Sequence, residues 1–338
     1  MITRIPTAPV ITSIHFQEFR VIEKAELPLG PFNLLLGPNG SGKTTAVNAV
    51  LALGDVAAAQ RVGRMPLVQP DLAGATADFH FGGPLEGARA VMMFDASGHP
   101  TTAFAEAAGS SGAPLVDWLG RGVRGYVLDP AALARPVVRD TAPLLGPDGA
   151  GLAAVLASLR RGDGKRWAEL VAEFRRMLPD YADVIAGQTV EGLVAFSVAD
   201  VRGRNLPARN LSQGTLVVLA LLALVFAPER PPILCLEEIE RGIHPRLLRD
   251  VRDLLYRMSF PEDCGDPLPP VQVITTTHSP YILDLFADTP EDVILATRQG
   301  EAEGASFKRL CDMPEVGELM REGRLGDLWY SGIFGGTP

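Results

Sequence analysis

"NLLLGPNGSGKTT", residues 33–45, sets an apolar run directly against a glycine-rich turn that ends in Lys-Thr-Thr. The spacing Gly37-x-x-x-x-Gly42-Lys43-Thr44 fits the phosphate-binding loop pattern G-x-x-x-x-G-K-[ST]. Glycines lacking a Cβ let backbone N–H groups curl around an anion, and a helix that starts there directs its positive dipole end to the same point. The candidate nucleotide-binding set is therefore Gly37, Pro38, Asn39, Gly40, Ser41, Gly42, Lys43, Thr44 and Thr45. Lys43 is expected to reach the β- and γ-phosphates of a bound nucleotide, and the Thr44 hydroxyl to ligate Mg²⁺. Residues 34–36 read as a buried strand, and 45–53, closed by Gly54, as a helix with a glycine stop. The alternative is a chance glycine turn. Lysine occurs only at 24, 43, 165 and 308, which makes a background lysine inside the loop a poor explanation.

A chain of 338 residues can hold one large or two small domains, and 47% hydrophobic with 7% aromatic residues supports a well-buried core. A net charge of −9 argues against a protein that coats nucleic acid with its whole surface, and leaves room for a local basic groove. Residues 160–176 (RRGDGKRWAELVAEFRR) carry six basic and three acidic side chains. Trp167, Leu170, Val171, Phe174 and Leu178 form a helical stripe there, so a solvated helix face explains the charges better than a nucleic-acid track. There is no basic-then-apolar leader, and the longest apolar run, 216–227, is only 12 residues, too short to cross a bilayer. Cys235, Cys264 and Cys311 are odd in number and far apart, which suggests free thiols in a reducing compartment, with no disulfide framework and no zinc spacing. These features point to a cytoplasmic protein without a membrane partner.

Strands are expected at 10–16, 21–29 and 32–36, and again at 76–81 and 89–94. Residues 96–125, rich in Gly, Ala and Ser, read as loop with short helices. Helices follow at 152–159 and at 166–178, the latter ended by Pro179, and 189–199 alternates enough for a strand. A helix near 245–259 would bury Leu247, Leu248, Val251, Leu254, Leu255 and Met258, leaving Arg246, Arg249, Arg252 and Arg257 outward to pair with Asp250 and Asp253 along the helix.

Three further motifs complete the first. "ILCLEEIE", residues 233–240, is an apolar strand ending in consecutive acids. A strand emerging beside the P-loop strand places one carboxylate by Mg²⁺ and the next by the attacking water, so Glu237 takes the magnesium side and Glu238 polarises the water. Without the P-loop, a solvated acidic strand end would be the better reading. "VQVITTTHSPYILD", residues 271–284, puts His278 at a strand's carboxyl end, where open α/β sheets present ligands and where it could touch a γ-phosphate. "LSQGT", residues 211–215, opens the apolar helix; Ser212 can cap it and Gly214 allows close backbone approach, although Ser-x-Gly turns are common.

Taken in order, these motifs resemble the ABC-class ATPases and, within them, the SMC/RecF/OLD-like group. The stretch 11–45 with its Phe19-Arg20 pair, "DGAGLAAVLASLRR" and "EEIERGIHPRLL" are similar to the same group, in the form of stand-alone ATPases of genome maintenance and anti-phage defence. The resemblance implies an α/β, ABC-type P-loop NTPase head with a mixed sheet and an inserted mostly helical lobe. It would be one composite domain over 1–338, with the P-loop part at 1–95, the insertion at 96–210, and the signature helix and acidic strand at 211–338. It implies ATP and Mg²⁺ as cofactors. It also implies a homodimer in which each nucleotide lies between one P-loop and the other copy's LSQGT, so that Ser212 and Gly214 act in trans, with Arg20 at the nucleotide. Gln69, with Gln60 behind it, is the candidate for the glutamine that joins the metal set; a surface-loop glutamine is the alternative. The sequence departs from the family where LSQGT replaces Leu-Ser-Gly-Gly-Gln, where Glu237 replaces Asp and where Ile239 stands in place of Pro. No long coiled coil lies between Lys43 and Ser212, and the 60 residues after His278 carry no second acidic metal cluster, so neither an SMC arm nor a fused nuclease is expected. The implied function is an ATP-gated dimeric switch in DNA repair or phage defence, with DNA and a separate effector or nuclease as candidate partners. The alternatives are the nucleotide-binding subunit of a membrane transporter and a scaffold that holds ATP without hydrolysing it.

Overall fold

The computed structural model describes residues 7–66, 69–105, 113–139, 143–189, 192–298, 304–313 and 324–331. In chain order they form β1 (Val10–Phe19), β2 (Ile22–Pro28), β3 (Phe32–Leu36), α1 (Lys43–Arg61), β4 (Thr76–Gly82), β5 (Arg89–Phe94), β6 (Pro100–Ala105), α2 (Ala113–Leu119) and β7 (Arg124–Tyr126). There follow α3 (Pro130–Leu133), α4 (Leu152–Gly162), α5 (Gly164–Met177), β8 (Tyr181–Gln188), β9 (Val194–Asp200), β10 (Asn205–Pro207) and α6 (Gln213–Val225). The chain continues through β11 (Ile233–Leu236), α7 (Leu248–Ser259), β12 (Gln272–Thr277), α8 (Pro280–Leu283), β13 (Val293–Arg298), β14 (Ala305–Arg309) and α9 (Leu325–Tyr330).

Two compact units result. The first takes Met1–Gly125, Pro231–Glu238 and Pro269–Pro338; the second takes Tyr126–Arg230 and Ile239–Leu268. The segment expected to form one inserted lobe, 96–210, is divided at residue 125 between them.

In the first unit, an antiparallel sheet of order β2-β1-β4-β5-β6 accompanies a sheet of order β14-β13-β3-β12-β11-β7. β13, β3, β12 and β11 run parallel, and β14 returns antiparallel to β13. Sequence pattern explains both. β1 alternates, with Ile14 and Phe16 buried and His15 and Gln17 exposed, as suits a sheet wetted on one face. β3, β11 and β12 are buried at every residue, as suits parallel strands covered on both faces. Ala46, Val47, Val50 and Leu53 of α1 share one core with Phe16 and Phe79 of the first sheet and Leu35, Ile274 and Ile294 of the second. Buried Gln272 stitches these parts together: its amide donates to Ile11 O (2.7 Å) and Gly30 O (2.9 Å) and accepts from Ile11 N (2.9 Å).

Two local expectations fail. α1 runs to Arg61 rather than stopping at Gly54. A Cβ on Gly54 would lie 2.5 Å from Val123 Cβ, so this glycine serves close packing inside a helix and not termination. Residues 100–105, expected to be loop, form the edge strand β6, whose Thr and Ala residues alternate too faintly in apolarity to announce it.

In the second unit, α6 is apolar all round and buried from Thr215 to Val225, the behaviour expected of a central helix, with α3, α4, α5 and α7 against it. A small antiparallel sheet, β10-β9-β8, packs on α4. β8 was not legible in sequence because only Val184 and Ala186 of its eight residues are buried. The strand expected over 189–199 is β9, and residues 190 and 191 lie outside the described residues. The apolar stripe expected on α7 is buried, but its ion pairs run elsewhere than expected. Asp250 meets Arg176 of α5 at 2.8 Å, and Arg257 approaches Glu169 of α5 at 4.0 Å. Arg252–Asp253 (2.6 Å) stays within the helix.

Candidate nucleotide site

The P-loop joins β3 to α1. A Cβ on Gly37 would fall 2.2 Å from Ala296 O and 2.6 Å from Ser41 Oγ, so no other residue fits there. Gly42 adopts φ 94° as it leads into α1, and a Cβ on it would meet Ala305, Ile22 and Phe307 within 3.4 Å. Ser41, Lys43 and Thr45 are buried, Pro38 is half-buried, and Asn39, Gly40 and Thr44 are exposed. Lys43, only 5% exposed, donates from Nζ to Gly37 O at 2.8 Å and Pro38 O at 2.9 Å, which compensates the ammonium for lost water.

Parallel pairing brings the carboxyl ends of β11, β12 and β3 to one edge, with Leu236 opposite Thr275 and Thr277 opposite Leu36. This is the edge at which open α/β sheets take ligands. There Thr44 Oγ1 donates to Glu237 Oε2 at 2.5 Å. Glu238 follows with φ 51°, a left-handed conformation that costs a non-glycine residue about 1 to 3 kcal/mol. Its N–H donates to Thr276 Oγ1 at 3.1 Å. His278 is half-buried immediately after β12, where Thr277 Oγ1 accepts from Ser279 N at 3.0 Å. Beneath this edge, burial first and the Glu237 charge second push the Cys235 thiol far above its usual range, which makes it an inert core residue.

A P-loop over a helix start and two touching hard oxygen donors, the Thr44 hydroxyl and the Glu237 carboxylate, suit a nucleotide with Mg²⁺. Among the described residues no group of three His, Cys, Asp or Glu side chains could hold a metal. Magnesium is ordinarily held by one or two protein oxygens together with substrate phosphates, so the pair is the relevant donor set.

The other expected residues stand as follows. Arg20, at φ 55° in the β1–β2 turn, donates from Nε to Asp71 Oδ2 at 2.7 Å. That turn is carried to the P-loop side by Ile22, which lies against Gly42. Gln69 is fixed through its backbone, donating to Gly98 O at 2.8 Å, and among the described residues no hydrogen bond joins its side chain to Thr44 or Glu237. Ser212 caps α6, accepting from Thr215 N at 3.2 Å. A Cβ on Gly214 would lie 2.9 Å from Gly242 O, so this glycine has a packing reason of its own. Thr276 and Asp71 were not singled out from sequence; a threonine run and a lone aspartate in a loop carry no motif.

A parallel core with a P-loop feeding its first helix and an acidic pair at the neighbouring strand end, joined to an antiparallel sheet, defines an ABC-type P-loop ATPase fold. The fold matches an SMC head solved bound to the C-winged helix domain of ScpA, with a TM-score of 0.61 over 89% of this chain and 98% of that one, at 14% identity. Residues 155–284 match the family model described as "AAA domain, putative AbiEii toxin, Type IV TA system". An OLD nuclease of Thermus scotoductus is 43% identical over 58 residues, 17% of this chain and 11% of that protein. The DNA replication and repair protein RecF of Erwinia tasmaniensis is 51% identical over 45 residues, 13% of this chain and 12% of that protein. The chain therefore spans only about an eighth of the length of the curated relatives it matches. In fold it is similar to SMC heads, and over short stretches in sequence to OLD and RecF proteins, the similarities that point to the ABC-class P-loop ATPases of the SMC/RecF/OLD group.

Proposed function

We propose that the protein binds and hydrolyses MgATP and works as an ATP-gated homodimeric switch in DNA repair or anti-phage defence, with a separate effector or nuclease as partner. The observation that carries this reading is the 2.5 Å contact between Thr44 and Glu237, with Glu238 next in the chain. Lys43 neutralises the β- and γ-phosphates, Thr44 and Glu237 hold the metal, Glu238 orients and polarises the attacking water, and His278 contacts the γ-phosphate. A Mg²⁺ held by Thr44 and Glu237 would supply positive charge against the phosphate oxygens. Gln69 joins the metal set, and Arg20 exchanges Asp71 for a phosphate. Ser212 and Gly214 close on the nucleotide of the second copy. A γ-phosphate contacted from both copies favours the closed dimer, and its loss removes that preference. The RecF and OLD relatives support the DNA-linked role, and the SMC head's winged-helix partner supports a partner in trans. Among the described residues no helix is long and apolar enough to cross a membrane.

The test compares ATP hydrolysis and oligomeric state of the native protein and Glu238→Gln, each with and without duplex DNA at low salt. The reading expects turnover by the native protein only, and an ATP-dependent dimer of Glu238→Gln. A Glu238→Gln protein that stays monomeric with ATP removes the switch. DNA that changes neither protein's behaviour removes the nucleic-acid role, because phosphate contacts are strongest at low salt.

A further inference from the structure

The three threonines that end β12 hold three different partners. Thr275 Oγ1 donates to Asn33 O of β3 at 3.1 Å, Thr276 Oγ1 accepts from Glu238 N at 3.1 Å, and Thr277 Oγ1 accepts from Ser279 N at 3.0 Å, one residue past His278. The middle bond has an unusual position. β11 ends at Leu236, so Glu238 has left the strand ladder, and it sits at φ 51° without being glycine. Thr276 is 2% exposed, so water has little access to that side of the turn. A left-handed residue returns to negative φ unless its surroundings hold it.

We infer that Thr276 is the positioning residue for Glu238: its hydroxyl takes the place of the lost strand partner, pins the Glu238 peptide N–H, and thereby fixes the backbone turn that aims the carboxylate. This rests on the reading of Glu238 as the residue that polarises water. Buried at 2% exposure and bonded to the Glu238 N–H, the hydroxyl acts through the glutamate backbone and not as a catalytic group. Because the Thr44–Glu237 contact lies one residue earlier, loss of the Thr276 bond changes the aim of Glu238 while leaving nucleotide capture intact.

The experiment uses the full chain and compares native protein, Thr276→Val, Thr276→Ser and Glu238→Gln in MgATP hydrolysis, MgATP binding, and amide hydrogen exchange over 236–240. Thr276→Val is expected to lose at least tenfold in kcat with KM and Kd for MgATP within threefold of native, and to exchange faster over 236–240. Thr276→Ser, which keeps the hydroxyl, is expected to recover both. If Thr276→Val does not accumulate folded, Thr276→Ala carries the same comparison with less bulk. A hydroxyl-free variant whose kcat stays within twofold of native, or whose exchange over 236–240 is unchanged, overturns the inference alone. A native protein without turnover, or a Glu238→Gln variant that retains it, overturns the ATPase reading and this inference together.

Discussion

Thr44 Oγ1 and Glu237 Oε2 lie 2.5 Å apart although 193 positions separate the two residues in the chain. The pairing of β3 with β12 and of β12 with β11 produces this meeting, because both parallel registers deliver their strand ends to one edge. Neither oxygen is demanding by itself; the pair is what a hard divalent cation requires. Thr44→Ala or Glu237→Gln should each weaken ATP binding in the presence of Mg²⁺ by about tenfold, roughly 1.4 kcal/mol. Binding measured with excess chelator should change much less. Calorimetric titration in the two buffers checks this, and equal losses with and without metal would remove Mg²⁺ from the site.

Gly54 separates helix propensity from packing. Alanine in mid-helix gains about 1 kcal/mol over glycine. Here the new methyl lands 2.5 Å from Val123 Cβ, and overpacking costs about 1 to 3 kcal/mol. Gly54→Ala should therefore be destabilising on balance in urea unfolding, while Val123→Ala beside it should turn the same substitution neutral or stabilising. A stabilised single mutant would show that the contact relaxes at no cost.

Asp266 provides the pH test. Its side chain is 2% exposed and contacts Arg230 at 2.6 Å, with Arg257 and Arg166 at 3.6 and 3.7 Å; the Arg230 side chain is fully buried. Burial alone would raise the carboxyl, but the Leu268 N–H and the arginines hold it below its ordinary 3.8. A depressed folded-state value means stability that is present above the unfolded value and lost as pH falls through the folded one. Asp266→Ala should cost about 3 to 5 kcal/mol near neutrality, since it strands a buried guanidinium. Its stability should then depend less on pH below about 4 than that of the native protein, as unfolding titrations at stepped pH would report.

The thiols divide in the same way. Cys235 is buried with its thiol pushed up, whereas Cys264 is exposed. A thiol reagent added to the folded protein should label Cys264 first and reach Cys235 only on unfolding. Labelling of Cys235 at the native rate of Cys264, read by peptide mass spectrometry, would mean that the strand under the acidic pair opens locally.

The P-loop and the acidic pair could be read from sequence because each is a short run whose chemistry depends on residue type and spacing: Gly37, Lys43, Thr44, Glu237. Strands buried on both faces, such as "ILCL", were equally plain, since an apolar run of four bounded by turn signals is too short for a buried helix such as α6. What stayed hidden was relational. Gly54 looks like a helix stop until Val123, 69 positions later, turns out to fill the space its side chain would need. β6 and β8 are edge strands of small or exposed residues, held by their neighbours and not by their own pattern. Asp250 and Arg257 look like partners for their own helix until α5 supplies Arg176 and Glu169. Thr276 carries no motif because its role depends on a backbone N–H 38 positions away.

The central claim is that Lys43 and the Glu237–Glu238 pair serve one magnesium-bound triphosphate. Phosphate release from MgATP by the native protein and by Lys43→Ala, measured side by side, tests it most directly. The account predicts steady release by the native protein and a loss of about 100-fold or more in the variant, the scale on which a preorganised charge acts on a transferring phosphoryl group. Equal rates in the two proteins, or no release from the native protein with magnesium present, would contradict it.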